Sequence, residues 1–399
     1  MTKKIRLISL ATTYPDSAES TKPRFVHLLN KELVNLGVDV LTICPHSKNA
    51  TKSEIIEGVK IKRFGYLPQR FELDSTSIPD EIRTKSGFLK VVIMITKFFL
   101  STFFLCLKDK PDIVHGQWAF PGGYIAYLMS KIFGAKSVVT VHYAEIPLLQ
   151  KFNFLRKIVV NGLNRSFKVI AVSHYTKRKL IELGVKEENI IVIRSTPNFV
   201  SHVSNKEFLE EFRKKFVAPD HKLILFWGRL VEHKGVKYLI QSIPKIQTKN
   251  IHLIIVGDGI MKEELQKLTK SLDLNDKVTF YGKASHEELG WIHDISDVFV
   301  CPSIIDDRGN TEGLGLVIPE AMESGLPVIA SSVGGIVDII KNWENGILIP
   351  EKSPDSIARA IDDIFTDTEL KEKIISNSKN TLKEFSPEII SKQYMEIFE

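Results

Sequence analysis

The chain has 399 residues, 54 Lys and Arg against 48 Asp and Glu, and a hydrophobic fraction of 43%. That is an ordinary globular composition, long enough for two or three domains with separate cores. Three cysteines, Cys44, Cys106 and Cys301, are odd in number and far apart, which argues against a disulfide framework and against a zinc cluster.

The net charge of +6 conceals an asymmetry. Residues 1–200 carry 30 Lys and Arg against 16 Asp and Glu, a balance of +14, and the remainder carries −8. Drift of solvated surface charge would account for this. So would an N-terminal half that works at an anionic membrane surface or on an anionic acceptor. Nucleic acid is not expected, because no recognition motif and no aromatic–basic interleaving accompanies the charge.

From the N-terminus, which enters a strand without the apolar run of a signal peptide, short apolar runs alternate with helix-length amphipathic segments. Strands are predicted at Ile5–Leu10, Val38–Cys44, Ile113–His115, Ser137–Val141 and Val169–Val172. Helices are predicted at Phe25–Leu36 and at His174–Leu183, the latter capped by Ser173. The apolar stretch Val91–Leu107 is 17 residues with Lys97 in its middle, shorter than the roughly 20 residues a membrane span needs. A core or interfacial helix is expected there.

The second half repeats the alternation. Strands are predicted at Leu223–Phe226, His252–Val256, Val278–Tyr281, Val298–Cys301 and Val328–Ala330. Two doubly wound α/β domains in series follow, covering 1–205 and 206–385, with a boundary near Pro197–Pro219 where periodicity weakens. A last helix is entered through Ser386-Pro387, a cap followed by proline at the first helical position.

Two segments carry the chemistry. Gly228-Arg-Leu-Val-Glu-His-Lys-Gly235 places Arg229 and Lys234 in a loop after an apolar strand, with Gly228 and Gly235 admitting close backbone approach. Alone, it could be a surface loop with two solvated cations. Glu312-Gly-Leu-Gly-Leu-Val-Ile-Pro-Glu320 places two carboxylates either side of a glycine-spaced turn. Pro319 suits a first helical turn, so a helix should begin near Ile318 or Pro319, with Glu312 in the loop and Glu320 in the first turn. An ordinary carboxylate favoured by the helix dipole is the competing account of Glu320. His142 closes the strand Val138-Val-Thr-Val-His142, and His115 closes its neighbour in Asp112-Ile-Val-His115. Strand ends of α/β sheets collect functional groups, although lone histidines are more often structural.

In this order, and with Cys301-Pro-Ser before them and Glu320-Ala-Met-Glu-Ser-Gly-Leu-Pro-Val after, the two segments strongly resemble the donor site of family 4 retaining glycosyltransferases. The resemblance spans almost the whole chain and is densest from Gly228 to Gly346. It implies the GT-B fold: two Rossmann-like domains facing across a cleft, an N-terminal acceptor-binding and a C-terminal donor-binding domain, and a final helix (386–399) that crosses back onto the first.

By the same resemblance Arg229 and Lys234 hold the diphosphate of a UDP-, GDP- or ADP-sugar. Glu312 bonds the transferred sugar, Glu320 the ribose, and amides of Gly313, Leu314, Gly315 and Leu316 face the sugar or phosphates. Gly228, Gly257 and Lys283 belong to the same donor site, with base contacts near Gly257–Gly259 and Tyr281–Lys283. His142 would lie in the cleft near the sugar. Arg24, His115 and Asn198 are acceptor-side candidates.

The chain departs from the family's pattern in three places. The loop Thr12–Arg24 after the first strand has no paired glycine, so Arg24 is the candidate substitute cation. The linker string reads Pro197-Asn-Phe-Val and keeps only Asn198. Glu145 follows His142 where an aspartate or glycine neighbourhood is common.

No Asp-x-Asp string is present, and Asp306-Asp307 lack a strand-end setting. Metal-independent transfer with no cofactor is therefore expected. The expected enzyme is cytoplasmic, or peripheral at the inner face of the membrane, and extends a glycolipid or polysaccharide. Two other assignments stay open at this level: a GT-B sugar-nucleotide epimerase and a non-catalytic nucleotide-sugar-binding protein.

Overall fold

The computed structural model describes residues 4–17, 20, 22–47, 50–68, 84–199, 210, 212 and 221–399. They form two compact units, Met1–Thr196 with Ser386–Glu399, and Pro197–Phe385. The division falls between Thr196 and Pro197, not at 205/206. Asn198 belongs with the second unit because its amide is bonded to Glu320 there.

In the first unit the described strands are β1 (Arg6–Leu10), β2 (Asp39–Pro45), β3 (Ser53–Ile56), β4 (Val59–Phe64), β5 (Ile113–Gln117), β6 (Lys136–Val141), β7 (Lys168–Ala171) and β8 (Ile190–Val192). They make one sheet in the order β3-β4-β2-β1-β5-β6-β7-β8. The sheet is parallel except for the β3–β4 pair, and Leu7 of β1 lies between Val40 and Ile113. Side chains alternate between faces, so Leu7 joins one core layer and Ile8 the other, and the interior strands β1, β5 and β6 are buried along nearly all their length. The chain leaves β1 toward β2 and later returns to β5 on β1's other side. That makes the β1/β5 junction the switch point of this sheet.

The β3–β4 hairpin was not legible in the sequence. Its two-residue turn is Glu57-Gly58, both at positive φ (45° and 84°), where Asn-Gly or Asp-Gly is the usual signal. Two cations, Arg24 and Lys31, and the imidazole of His27 hold the unusual Glu57 in place. Burial would raise its carboxyl, but the bonds from Lys31, His27 and Arg24 outweigh this and hold it at about 2.

The apolar stretch 91–107 lies inside a longer helix, Lys85–Asp109, of 25 residues. It begins earlier than predicted because Thr84 caps it, its hydroxyl accepting from the Gly87 amide at 3.0 Å. The side formed by Val91, Met94, Phe98, Leu105 and Cys106 is buried in the core. Among the described residues this is the one helix long and apolar enough to cross a membrane. The final helix, Pro387–Phe398, belongs to the first unit. Ile390, Tyr394, Ile397 and Phe398 share one face and pack against the layer of Leu29 and Leu33.

The second unit holds β9 (Lys222–Trp227), β10 (Ile251–Val256), β11 (Val278–Gly282), β12 (Val298–Cys301), β13 (Val328–Ser331) and β14 (Ile347–Ile349). Their order is β11-β10-β9-β12-β13-β14, all parallel, with Leu225 of β9 between Ile254 and Phe299. Here the order reverses between β9 and β12. The predicted strands are present within a residue or two of their expected ends. The short edge strands β8 and β14, three residues each, were not foreseen.

Candidate active site

Ligands of open α/β sheets bind beyond the carboxyl ends of strands, at the point where the strand order reverses. In the second unit that point is flanked by the loops after β9 and β12. These are the loops that carry Arg229, Lys234 and Glu312.

The loops are tied together through the main chain. The Gly228 amide donates to Val256, the Leu230 amide to Asp258, and the Gly257 amide to Gly282, at 2.7–3.0 Å. Contact is close enough that a Cβ at Gly257 would lie 1.9 Å from the Gly228 oxygen. One at Gly235 would lie 1.9 Å from the Pro302 oxygen. Both glycines also have positive φ, so the spacing of this motif reflects backbone packing as well as ligand approach.

Lys234 and Glu312 meet directly, Nζ to Oε1 at 2.6 Å, with both side chains largely buried. The Ser303 hydroxyl donates to the same oxygen at 2.9 Å. Burial would raise the Glu312 carboxyl, but the Lys234 ammonium, the neighbouring His233 and the Ser303 bond hold it at about 2. Ser303 and His233 are site residues that sequence reasoning passed over. Ser303 lay in the quoted Cys301-Pro-Ser string, and His233 lay between the two cations. Burial lowers the His233 imidazole to about 4. Arg229, in the same loop, is exposed, and its charge acts on His233.

Gly334 and Gly335, also unforeseen, support the Glu312 loop from below. The Gly335 amide donates to the Glu312 carbonyl at 2.8 Å, and a Cβ at Gly335 would lie 2.1 Å from the Gly313 oxygen. Gly315 takes φ +89°, a turn that a β-branched residue would strain. Leu314 is buried, and Leu316 opens the helix Val317–Glu323. That helix is seven residues long, so the amides of the preceding turn are the principal donors it presents.

Glu320 stands in its first turn, as predicted, and is 4% exposed. One carboxylate oxygen accepts from the Asn198 amide at 2.8 Å. The other is buried with no partner among the described residues. Burial, only partly offset by Asn198 and Lys234, raises this carboxyl to about 8. Asn198, expected on the acceptor side, therefore serves Glu320. It is held by His286, whose Nε2 donates to the Phe199 carbonyl at 2.9 Å. Lys283 is highly exposed, 4.0 Å from the Asp258 carboxylate, at the rim of the same loops. Asp306 accepts from the amides of Arg308 and Asn310 and shapes its own loop.

In the first unit, His142 Nε2 donates to the Gln117 amide oxygen at 2.8 Å. The rings of Phe25 and Trp118 lie 4.8 and 5.1 Å away. Burial among them, with a smaller contribution from His115, holds the imidazole neutral, far below its ordinary range. Trp118 and Tyr143, either side of this group, have φ of 65° and 84°. Strained non-glycine backbone of this kind gathers at functional sites. Glu145 turns inward, one oxygen accepting from the Ala119 amide at 2.7 Å.

Two acceptor-side candidates lie elsewhere. His115 is fully buried, bonded to Thr140 at 2.8 Å and covered by the rings of Tyr394 and Phe398. It is a core histidine: β5 continues past the expected end at His115 to Gln117, and the final helix packs over this part of the strand. Arg24 is engaged by Glu57.

A doubly wound unit with a buried cation–carboxylate pair beside its switch point has the form of a ligand site of an open α/β sheet. Residues 207–381 match the glycosyl transferases group 1 family and residues 23–198 match glycosyltransferase family 4. An uncharacterized glycosyltransferase of Methanocaldococcus jannaschii is 36% identical over 376 residues, covering 90% of this chain and 89% of the relative. N-acetyl-alpha-D-glucosaminyl L-malate synthase of Bacillus anthracis is 28% identical over 297 residues, covering 73% and 75%. Among solved structures, sucrose-phosphate synthase from Thermosynechococcus elongatus superposes with a TM-score of 0.80 at 20% identity, covering 99% and 98%. Anabaena HepE in complex with UDP-glucose gives 0.75 at 19% identity, covering 98% of each chain. The chain belongs to the family 4 glycosyltransferases, and its fold is GT-B.

Proposed function

We propose that the protein is a retaining, metal-independent hexosyltransferase that moves a sugar from a UDP-, GDP- or ADP-sugar to a glycolipid or polysaccharide, in cell-surface glycan synthesis. The observation that carries this is the buried Lys234–Glu312 pair beside Glu320, a buried carboxylate with one unpartnered oxygen.

A donor diphosphate has more negative charge to offer Lys234 than Glu312 has. On binding, Lys234 turns to phosphate and Glu312 is released to accept from hydroxyls of the sugar. The open oxygen of Glu320 accepts from ribose. Arg229 and Lys234 then stabilise charge growing on the leaving diphosphate, the role a metal ion fills elsewhere. The acceptor oxygen bonds to the anomeric carbon as the carbon–phosphate-oxygen bond breaks on the same face, and the acceptor's proton passes to the departing phosphate oxygen. His142, neutral and fixed by Gln117, is assigned to orienting the sugar. The basic balance of residues 1–200 favours an anionic, lipid-borne acceptor and a place at the inner face of the membrane.

Incubation with labelled UDP-, GDP- and ADP-sugars and a lipid extract tests this. One donor should be consumed with its anomeric configuration kept in the product, at a rate unchanged by excess EDTA. Donor binding without turnover would mark a binding protein. Loss of the rate in EDTA, restored by magnesium or manganese, would overturn the metal-free mechanism. Thermal shifts identify the base independently, since a ligand at 100 times its dissociation constant stabilises by about 2.7 kcal/mol.

A further inference from the structure

The helix Lys85–Asp109 has a second apolar side that the described residues of its unit leave exposed. Phe88, Leu89, Val92, Leu100, Phe104 and Leu107 are 40–62% exposed. They lie away from the buried stripe of Val91, Met94, Phe98 and Leu105, and the two sides run in parallel along the helix. From Phe88 to Leu107 the uncovered side extends about 28 Å at 1.5 Å per residue. An isolated exposed leucine needs no explanation, but a continuous strip of this length does.

Among the described residues, the charges that flank the strip are positive. Lys90, Lys97 and Lys108 recur at intervals of seven and eleven residues, two and three helical turns, so they line one margin. Lys85 and Lys110 stand at the two ends. The neighbouring helix Tyr124–Phe133 packs alongside through Phe133 against Phe103, and adds exposed Lys131 and Ile132. In both helices Asp109 is the sole acidic residue.

We propose that this strip is a docking surface for an anionic lipid bilayer. The helix lies in the plane of the interface, its phenylalanines and leucines in the acyl boundary and its lysines among the headgroup phosphates. The helix does not cross the membrane, because its other side is committed to the core along most of its length. A second copy of the chain fits less well. An isologous contact sets this patch against itself and offers the lysines no acid beyond Asp109. The inference deepens the lipid-borne acceptor in the function proposed above, since the docked enzyme would meet such an acceptor at the surface that holds it.

Co-sedimentation of the full chain tests it without any substrate. The protein should pellet with phosphatidylglycerol–phosphatidylcholine vesicles at low salt, not with phosphatidylcholine alone, and high salt should release it. Lys97→Glu with Lys108→Glu, and separately Leu89→Gln with Phe104→Gln, should each weaken binding about tenfold or more. All four positions are exposed, so melting temperature and nucleotide binding should be unchanged, which separates failure of docking from failure of the donor site. Absence of binding to anionic vesicles would overturn the proposal, as would binding indifferent to both pairs. So would a dimer in solution that Leu89→Gln with Phe104→Gln dissociates.

Discussion

Glu312 and Glu320 stand eight residues apart on one loop–helix segment, both buried, yet their surroundings have opposite electrical character. Around Glu312 the fold supplies an ammonium, a hydroxyl and a histidine, and the carboxyl is held at about 2. Around Glu320 it supplies one backbone amide, the second oxygen has no partner among the described residues, and the carboxyl rises to about 8. The first is an internally compensated pair that a donor has to rearrange. The second is an incomplete shell that a ligand can complete. Two carboxylates in one motif thus have different tasks because burial acts on both and only Glu312 is bonded directly to the Lys234 cation.

Removing the cation breaks the contrast most severely. Lys234→Ala should lower turnover by roughly two to three orders of magnitude, the scale for one preorganised electrostatic group, and Arg229→Ala should do the same. Lys234→Ala should also destabilise the fold, since Glu312 is left buried without its partner. Near-wild-type turnover in either variant would show that the diphosphate is not held there.

Ligand selectivity sharpens the contrast at a smaller scale. Glu320→Ala should weaken free nucleotide and nucleotide-sugar alike by about twofold to tenfold, the range for one lost hydrogen bond to an uncharged group. Glu312→Ala should weaken the nucleotide-sugar alone, because Lys234 is then free for phosphate. Titration calorimetry with both ligands on both variants decides it, and equal losses throughout would refute the separate roles.

The smallest effect is a pH dependence of stability with opposite signs at the two sites. Glu312 has a folded value below its ordinary 4.5, so its contribution is present above that pH and is lost as pH falls toward 2. Glu320 has a folded value above 4.5. Its contribution is complete below 4.5 and is lost as pH rises to 8, where the folded protein has to ionise a buried group. Glu320→Gln, a neutral mimic, should therefore melt about 2–4 °C above the wild type at pH 8.5 and level with it at pH 5. A difference of the same size at both values would mean that Glu320 does not titrate between them.

The donor side was legible in the chain because its parts are local. Gly228 to Gly235 and Glu312 to Glu320 each hold their chemistry within one loop, and the apolar runs before them announce the strands that present it. The first unit was harder to read. Arg24 reads in sequence as a spare cation in the loop after β1, but its partner is Glu57, in a hairpin turn whose Glu-Gly pair carries no usual signal. His115 reads as a strand end like His142, but β5 runs on to Gln117, which leaves His115 inside the strand, and the final helix, some 280 residues later, covers it.

The sequence by itself determined two doubly wound sheets, the strand-end loops that carry Arg229, Lys234, Glu312 and Glu320, the caps at Ser173 and Ser386, and the family. These depend on periodicity and on spacing within one segment, which the chain displays directly. Only the tertiary structure decided that Lys234 is already paired with Glu312, that Asn198 serves Glu320, that His115 is core, and which side of the helix Lys85–Asp109 is left bare. Each of these depends on groups brought together from distant segments, where burial and a neighbouring charge determine what a side chain does.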